Sequence, residues 1–221
     1  MWMLFFLLAR CGFIVLLFSI GNHPDLSEWP YTIVYGLRLD LSTSAYLLIV
    51  PTLLWISFLL SGKKWLHRFL HIFNNLVLFI ISLIITSNYA VYSAWGTLIN
   101  ARALDFLADT EGIFASLTTI QLLTRTGFIL FLYLVFNRIY FKWVVSTAAV
   151  RVPPKSAIPT FLAAAFLPIL IRGGIQEIPI NESASYFSEV SAINDAANNP
   201  VWNLMNNIAK RGKSNKNPYK F

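Results

Sequence analysis

Two stretches of this chain, residues 41–60 and 72–90, contain no charged side chain at all. An α-helix rises ~1.5 Å per residue, so about 20 apolar residues carry it across ~30 Å of hydrocarbon. Both stretches meet that requirement, and Pro51 inside the first is tolerable in a membrane helix as a kink. The remaining composition agrees. Hydrophobic residues make up 57% of the 221 and charged residues 12%, about half the ~25% usual in soluble domains. Such a chain is neither disordered nor, with Cys11 as its one cysteine, a disulfide scaffold.

Three further segments have the character of spans. Residues 2–20 are long enough but carry Arg10 near the middle. An arginine there costs about 2.5–3.5 kcal/mol on insertion scales unless it snorkels or faces a polar partner. The segment lacks the basic start and small-residue cleavage site of a signal peptide, so it reads as a retained helix. A fourth span fits residues 122–141, with Arg125 and Arg138 each about one turn inside an interface. Residues 113–120 then lie along the outer surface. The fifth, 156–171, is short and holds Pro159 and Pro168; it spans only if Lys155 and Arg172 extend to the interfaces. The expected fold is therefore an all-α integral membrane protein, a five-helix transmembrane bundle (1–172) followed by a short external helical segment and linker (173–221).

The net charge of +7 does not point to nucleic acid, because the basic residues sit between apolar runs. Lys63, Lys64 and Arg68 follow the second span, and Arg138, Lys142, Arg151 and Lys155 follow the fourth. The other loops hold Arg38 and Arg102. Basic loops stay in the cytoplasm, which places the N-terminus inside and the C-terminus outside. Residues 61–71 and 142–156 are then cytoplasmic, and 21–37, 91–112 and 173–221 external.

Beyond Arg172 the chain turns polar. Ala184, Phe187, Val190, Ile193 and Ala197 form one helical stripe, ended by Pro200; Val201, Leu204, Met205 and Ile208 form a second. Residues 210–217 read as a solvated linker. Gly173 and Gly174 allow a tight bend that folds this tail back over the bundle. Tyr186, Phe187 or Trp202 are then expected to contact residues 89–107.

His67 and His71, four apart, share a helix face, but Arg68 stands where a zincin needs its glutamate and would repel a cation. They read as part of a helix entering the membrane at a basic interface. Cys11 is expected to be buried and inert. No metal or catalytic constellation is expected. The informative polar residues lie at the outer ends of spans. Arg102 and Asp105, three apart, suit a simple surface pair. The alternative is an outer cluster of Arg38, Asp40, Asn100, Arg102 and Arg172, suited to a phospholipid phosphate or to docking a soluble domain.

The runs Gly36-Leu-Arg-Leu-Asp-Leu-Ser42 and Trp95-Gly-Thr…Ile99-Asn-Ala-Arg-Ala-Leu-Asp-Phe-Leu107 resemble the membrane half of the lipoteichoic acid synthase-like phosphoglycerol transferases, within the sulfatase and alkaline-phosphatase superfamily. So do Arg172-Gly-Gly-Ile-Gln176, Pro179-Ile-Asn181, Tyr186-Phe-Ser188 and Asn199-Pro-Val-Trp-Asn203. The resemblance implies a bacterial cytoplasmic-membrane anchor whose partners are the bilayer, anionic headgroups among its lipids, and an external catalytic domain. In that family the catalytic domain carries a threonine nucleophile and a divalent metal, usually manganese. The 49 residues after Arg172 contain no histidine or cysteine, so no catalytic residue carries over and no cofactor is expected in this chain. The chain then reads as the anchor part of such an enzyme, whether by truncation or gene splitting. An independent channel- or transporter-like protein and an envelope scaffold are the alternatives. The reading frame beyond residue 221 separates them.

Overall fold

The structure, a computed structural model, describes residues 1–21, 27–106, 118–145 and 153–214. The described residues are helical or irregular throughout, with no strand. Helix α1 spans Trp2–Ser19, α2 Trp29–Ser61, α3 Lys64–Trp95, α4 Ala101–Phe106 and α5 Thr119–Tyr140. Then come α6 Ala157–Ala165, α7 Leu167–Arg172, α8 Ser191–Ala197 and α9 Pro200–Ser214. Four helices are long and apolar enough to cross a membrane: Trp2–Ser19, Trp29–Ser61, Lys64–Trp95 and Thr119–Trp143.

The fifth predicted span is not one helix of that length. Pro168 has no N–H to donate one turn back, and the chain breaks at Phe166 into α6 and α7. Together Ala157–Arg172 forms only a shorter apolar stretch. It packs against α2, where the Ser42 hydroxyl donates to the Ile171 carbonyl at 2.6 Å. The second and third spans extend well past their uncharged runs, because polar residues at both ends still continue the helical ladder. Helix α2 runs unbroken through Pro51, and only Gly62 and Lys63 separate it from α3. The fourth starts three residues earlier than expected. Thr118 and Gln121 form a capping box: the Gln121 N–H donates to the Thr118 hydroxyl at 3.3 Å and the Thr118 N–H to the Gln121 side chain at 3.1 Å.

Trp2, Phe5, Phe6 and Ala9 of α1 pack with Leu78, Ile81 and Ile85 of α3 and with Leu132 and Phe136 of α5, forming the main core. Phe5 and Phe136 meet edge-on at 4.6 Å, a geometry favoured by their ring quadrupoles. Cys11 is not buried by the fold. It lies on the exposed face of α1, since Arg10 and Phe13 take the inward positions.

The bend after α7 forms as the two glycines predict. Gly173 (φ +80°) closes a Schellman turn: its N–H donates to Leu170 at 3.0 Å and that of Gly174 to Ile169 at 3.0 Å. A Cβ on Gly173 would sit 2.6 Å from that of Ile180. The tail does fold over the bundle. The single stripe expected at 184–197 does not form, however. Asn194 turns its side chain on the preceding segment, accepting from the N–H groups of Phe187 (2.9 Å) and Ser188 (3.0 Å) and donating to Ser188 O at 2.7 Å. That clamp confines regular helix to Ser191–Ala197 and leaves Val190 exposed. The expected linker at 210–217 is helical to Ser214, since Lys210 pairs with Glu182 at 3.0 Å and Arg211 with Asp105 at 2.7 Å. Residues 113–117, residues 146–152 of the expected 142–156 loop, and the linker beyond 214 lie outside the described residues.

Candidate functional site

The most constrained polar arrangement lies where the tail meets α1 and α2. Gly36 and Asp40, one turn apart on α2, face α1 and are buried. A Cβ on Gly36 would collide with the Arg10 guanidinium, so glycine there is what admits the arginine side chain. Arg10 Nη2 donates to Asp40 Oδ2 at 2.7 Å, with side-chain exposures of 3% and 2%. Nη1 donates to the Ala196 carbonyl at 2.5 Å, in the last turn of α8. Carbonyls at a helix C-terminus lack intrahelical donors and carry partial negative charge, so the guanidinium suits that place.

The other oxygen of Asp40 accepts from Asn199 Nδ2 at 2.8 Å. Asn199 is fully buried, and its own Oδ1 accepts from the N–H groups of Val201 (3.0 Å) and Trp202 (3.1 Å). It is therefore the N-cap of α9, and Pro200 takes the first helical position, where a missing N–H does no harm. One asparagine thus starts the last helix and ties it to α2. Pro200 separates two helices, as its sequence context implies, but it does so by opening α9.

Further contacts fix the tail on all sides. Asn203 Nδ2 donates to Ile99 O at 2.9 Å, and Leu204 packs with Ile99 and Ala103. Ala192 and Ala196 pack on Phe13, Leu17 and Tyr92. The Tyr92 hydroxyl donates to Asp195 at 3.1 Å. Burial pushes the Asp195 carboxyl up to about 6, with the Tyr92 hydrogen bond opposing it. Phe187 stacks on Tyr35 of α2 at 4.6 Å, and Ser188 donates to Glu28 at 2.7 Å. The expected contact between the tail and residues 89–107 is thus made by Asn203, Leu204, Asp195 and Arg211, while the Phe187 ring rests on α2.

Of the residues singled out in the sequence, Asp40 alone enters this buried network. Arg38 is exposed on α2, next to the buried Leu39 and two residues before Asp40. Asn100 accepts from the Arg102 N–H at 2.9 Å and so supports the start of α4. Arg102 is exposed, and Asp105 pairs with Arg211 rather than with Arg102. Arg172 closes its own loop: Nε donates to Gln176 O at 3.1 Å and Nη2 to Glu177 O. Arg10 and Asn199 were not among the expected site residues. Both carried a signal: a charge inside an apolar span requires a partner, and Asn-Pro is a helix-start dipeptide. Among the described residues no group of three or more His, Cys, Asp or Glu is placed to hold a metal ion.

No family model, curated protein or solved structure matches the chain. Four long apolar helices in an all-α fold define a polytopic membrane protein.

Proposed function

We propose that this chain is the membrane-anchoring and positioning domain of a lipoteichoic acid synthase-like phosphoglycerol transferase, or of a sulfatase-family relative, working at the outer face of the bacterial cytoplasmic membrane. The single observation that carries this reading is the locked tail. Asn199 fixes the start of α9 to Asp40, and Arg211 fixes its last turns to Asp105. A chain continuing from such a helix leaves the bundle in a defined direction, which is what a domain acting on membrane-borne lipid requires. A freely tethered domain would be held near the bilayer but not oriented to it.

In this reading α6 and α7 together make the fifth crossing, the N-terminus is cytoplasmic and the tail external. The exposed guanidiniums of Arg38 and Arg102, with Asn100, Asp105 and Arg172 around the same end, offer positions for anionic headgroups or for the catalytic domain. Chemistry and its manganese belong to that domain. The test is the genomic reading frame beyond codon 221. A continuous or adjacent frame encoding an external α/β domain with a threonine nucleophile and Asp, Glu and His metal ligands is expected. Its absence there, together with a tail found in the cytoplasm, overturns the proposal.

A further inference from the structure

At the opposite, basic end of the bundle the helices border a partly open cavity of about 530 Å³, within the ~300–1,000 Å³ range of small-molecule sites. Its origin is geometric. Helix α1 has 18 residues, about 27 Å, against 33 in α2, about 50 Å. Met3 of α1 lies beside Ser44, near the midpoint of α2, where the Ser44 hydroxyl meets its sulfur at 3.5 Å. Below that level nothing from α1 fills the space between α2, α3 and α6. Leu48, Pro51, Trp55 and Leu70 wall the cavity, with Trp2 above.

One end of the cavity is polar, and its side chains are linked by hydrogen bonds. Asn74 Nδ2 donates to the Tyr140 oxygen at 3.3 Å and to Leu70 O at 2.9 Å. The Tyr140 hydroxyl and His71 Nδ1 share a hydrogen bond at 2.7 Å. His71 Nε2 in turn lies 3.2 Å from His67 Nε2, so one imidazole donates there and the other accepts. The chain Asn74–Tyr140–His71–His67 thus ends at a part-exposed imidazole on the cavity wall, and each bond in it polarises the next. Lys63, Lys64 and Arg68 lie exposed within one turn of His67 on the same helix end.

We propose that this cavity binds one acyl chain of an anionic lipid from the adjacent leaflet, with the head group at the His67 imidazole beside the basic residues. The apolar walls match the chain, the imidazole on the cavity wall can donate to a head-group oxygen, and the lysines and arginine match the charge. Phosphatidylglycerol phosphate and fatty-acid carboxylate share this chemistry.

The full 221-residue chain is reconstituted in phosphatidylcholine nanodiscs containing a trace of a diazirine-acyl probe, irradiated, and mapped by mass spectrometry. Three probes are compared: phosphatidylglycerol, palmitate and phosphatidylcholine. At least one anionic probe is expected to label Leu48, Trp55 and Leu70 about tenfold above the outward-facing Leu76, Phe79 and Leu134. Which one does so identifies the source. His67→Leu should lower that enrichment about tenfold, and Leu48→Trp, which fills the cavity, should abolish it. Equal labelling of cavity and outward residues in the native chain overturns the proposal without any variant. Equal enrichment by phosphatidylcholine, or enrichment that survives Leu48→Trp, overturns it as well.

Discussion

The two ends of the bundle are built from the same long helices and packed in opposite ways. At the tail end, α1, α2, α3, α8 and α9 converge, and Arg10, Asp40 and Asn199 lie almost wholly out of solvent with interlocking hydrogen bonds. At the basic end, α1 is missing from the packing. A wide cavity takes its place, bordered at one end by the Asn74–Tyr140–His71–His67 hydrogen-bond chain. The difference teaches that helix length, not helix composition, decides where this molecule is rigid. Helix α1 is as apolar as its neighbours, yet it closes only the end it reaches.

The sharpest way to break that contrast is Asp40→Ala. It strands a buried guanidinium and cuts the tie to Asn199, and breaking a buried pair on one side costs about 3–5 kcal/mol. Unfolding in mixed micelles should show that loss, with tail protection from proteolysis falling in parallel. Replacing Arg10 and Asp40 together by apolar residues should cost clearly less than Asp40→Ala alone, since no charge is then left unpaired. If the single and double variants match, the network is not the lock described above.

Gly36→Ala comes next. Its methyl group must displace the Arg10 guanidinium, and overpacking of this kind costs about 1–3 kcal/mol. The same unfolding assay should rank it below Asp40→Ala. Asn199→Ala removes the α9 cap, a loss of about 1–2 kcal/mol. Hydrogen exchange should speed up first at Val201 and Trp202, whose N–H groups it caps.

Acidity offers a gentler probe. The carboxyl of Asp195 is raised to about 6 in the folded tail, against an ordinary value of about 3.9. Between those values the folded state holds a proton that the unfolded state has released. Stability of the docked tail therefore falls as pH rises from about 4 to about 6 and is flat above, an effect of roughly 1–2 kcal/mol given its partial exposure. Asp195→Asn should flatten this dependence in hydrogen exchange across α8, and an unchanged slope would assign it to another group. At the loose end, Thr160→Ala on the cavity wall should change stability by less than about 0.5 kcal/mol, because it exposes no new unpaired group and opens no closed core. A cost equal to that of Asn199→Ala would erase the distinction between the ends.

Much of this was legible in residue order alone. Uncharged runs of spanning length are a local property, so the helices around 41–60 and 72–90 follow directly, as does the Gly173-Gly174 bend. The sequence also marked Arg10 as needing a partner and Asp40 as one of the residues that matter. It did not reveal that they meet, because they are 30 residues apart on antiparallel helices. Nor did it show that Asn199, a further 159 positions along, completes the pair. Arg38 and Asp40 look equivalent in sequence. The turn of α2 that buries Gly36 and Asp40 sends Arg38 to the surface, and only packing against α1 sets that turn. The break at Pro168 was local and visible, but its consequence, a pair of short helices leaning on α2, was not. The cavity is the extreme case. The His67–His71 pair on its wall stood out in the sequence, but the space itself exists because α1 reaches only to about the midpoint of α2, a relation between helices that no single stretch of sequence contains.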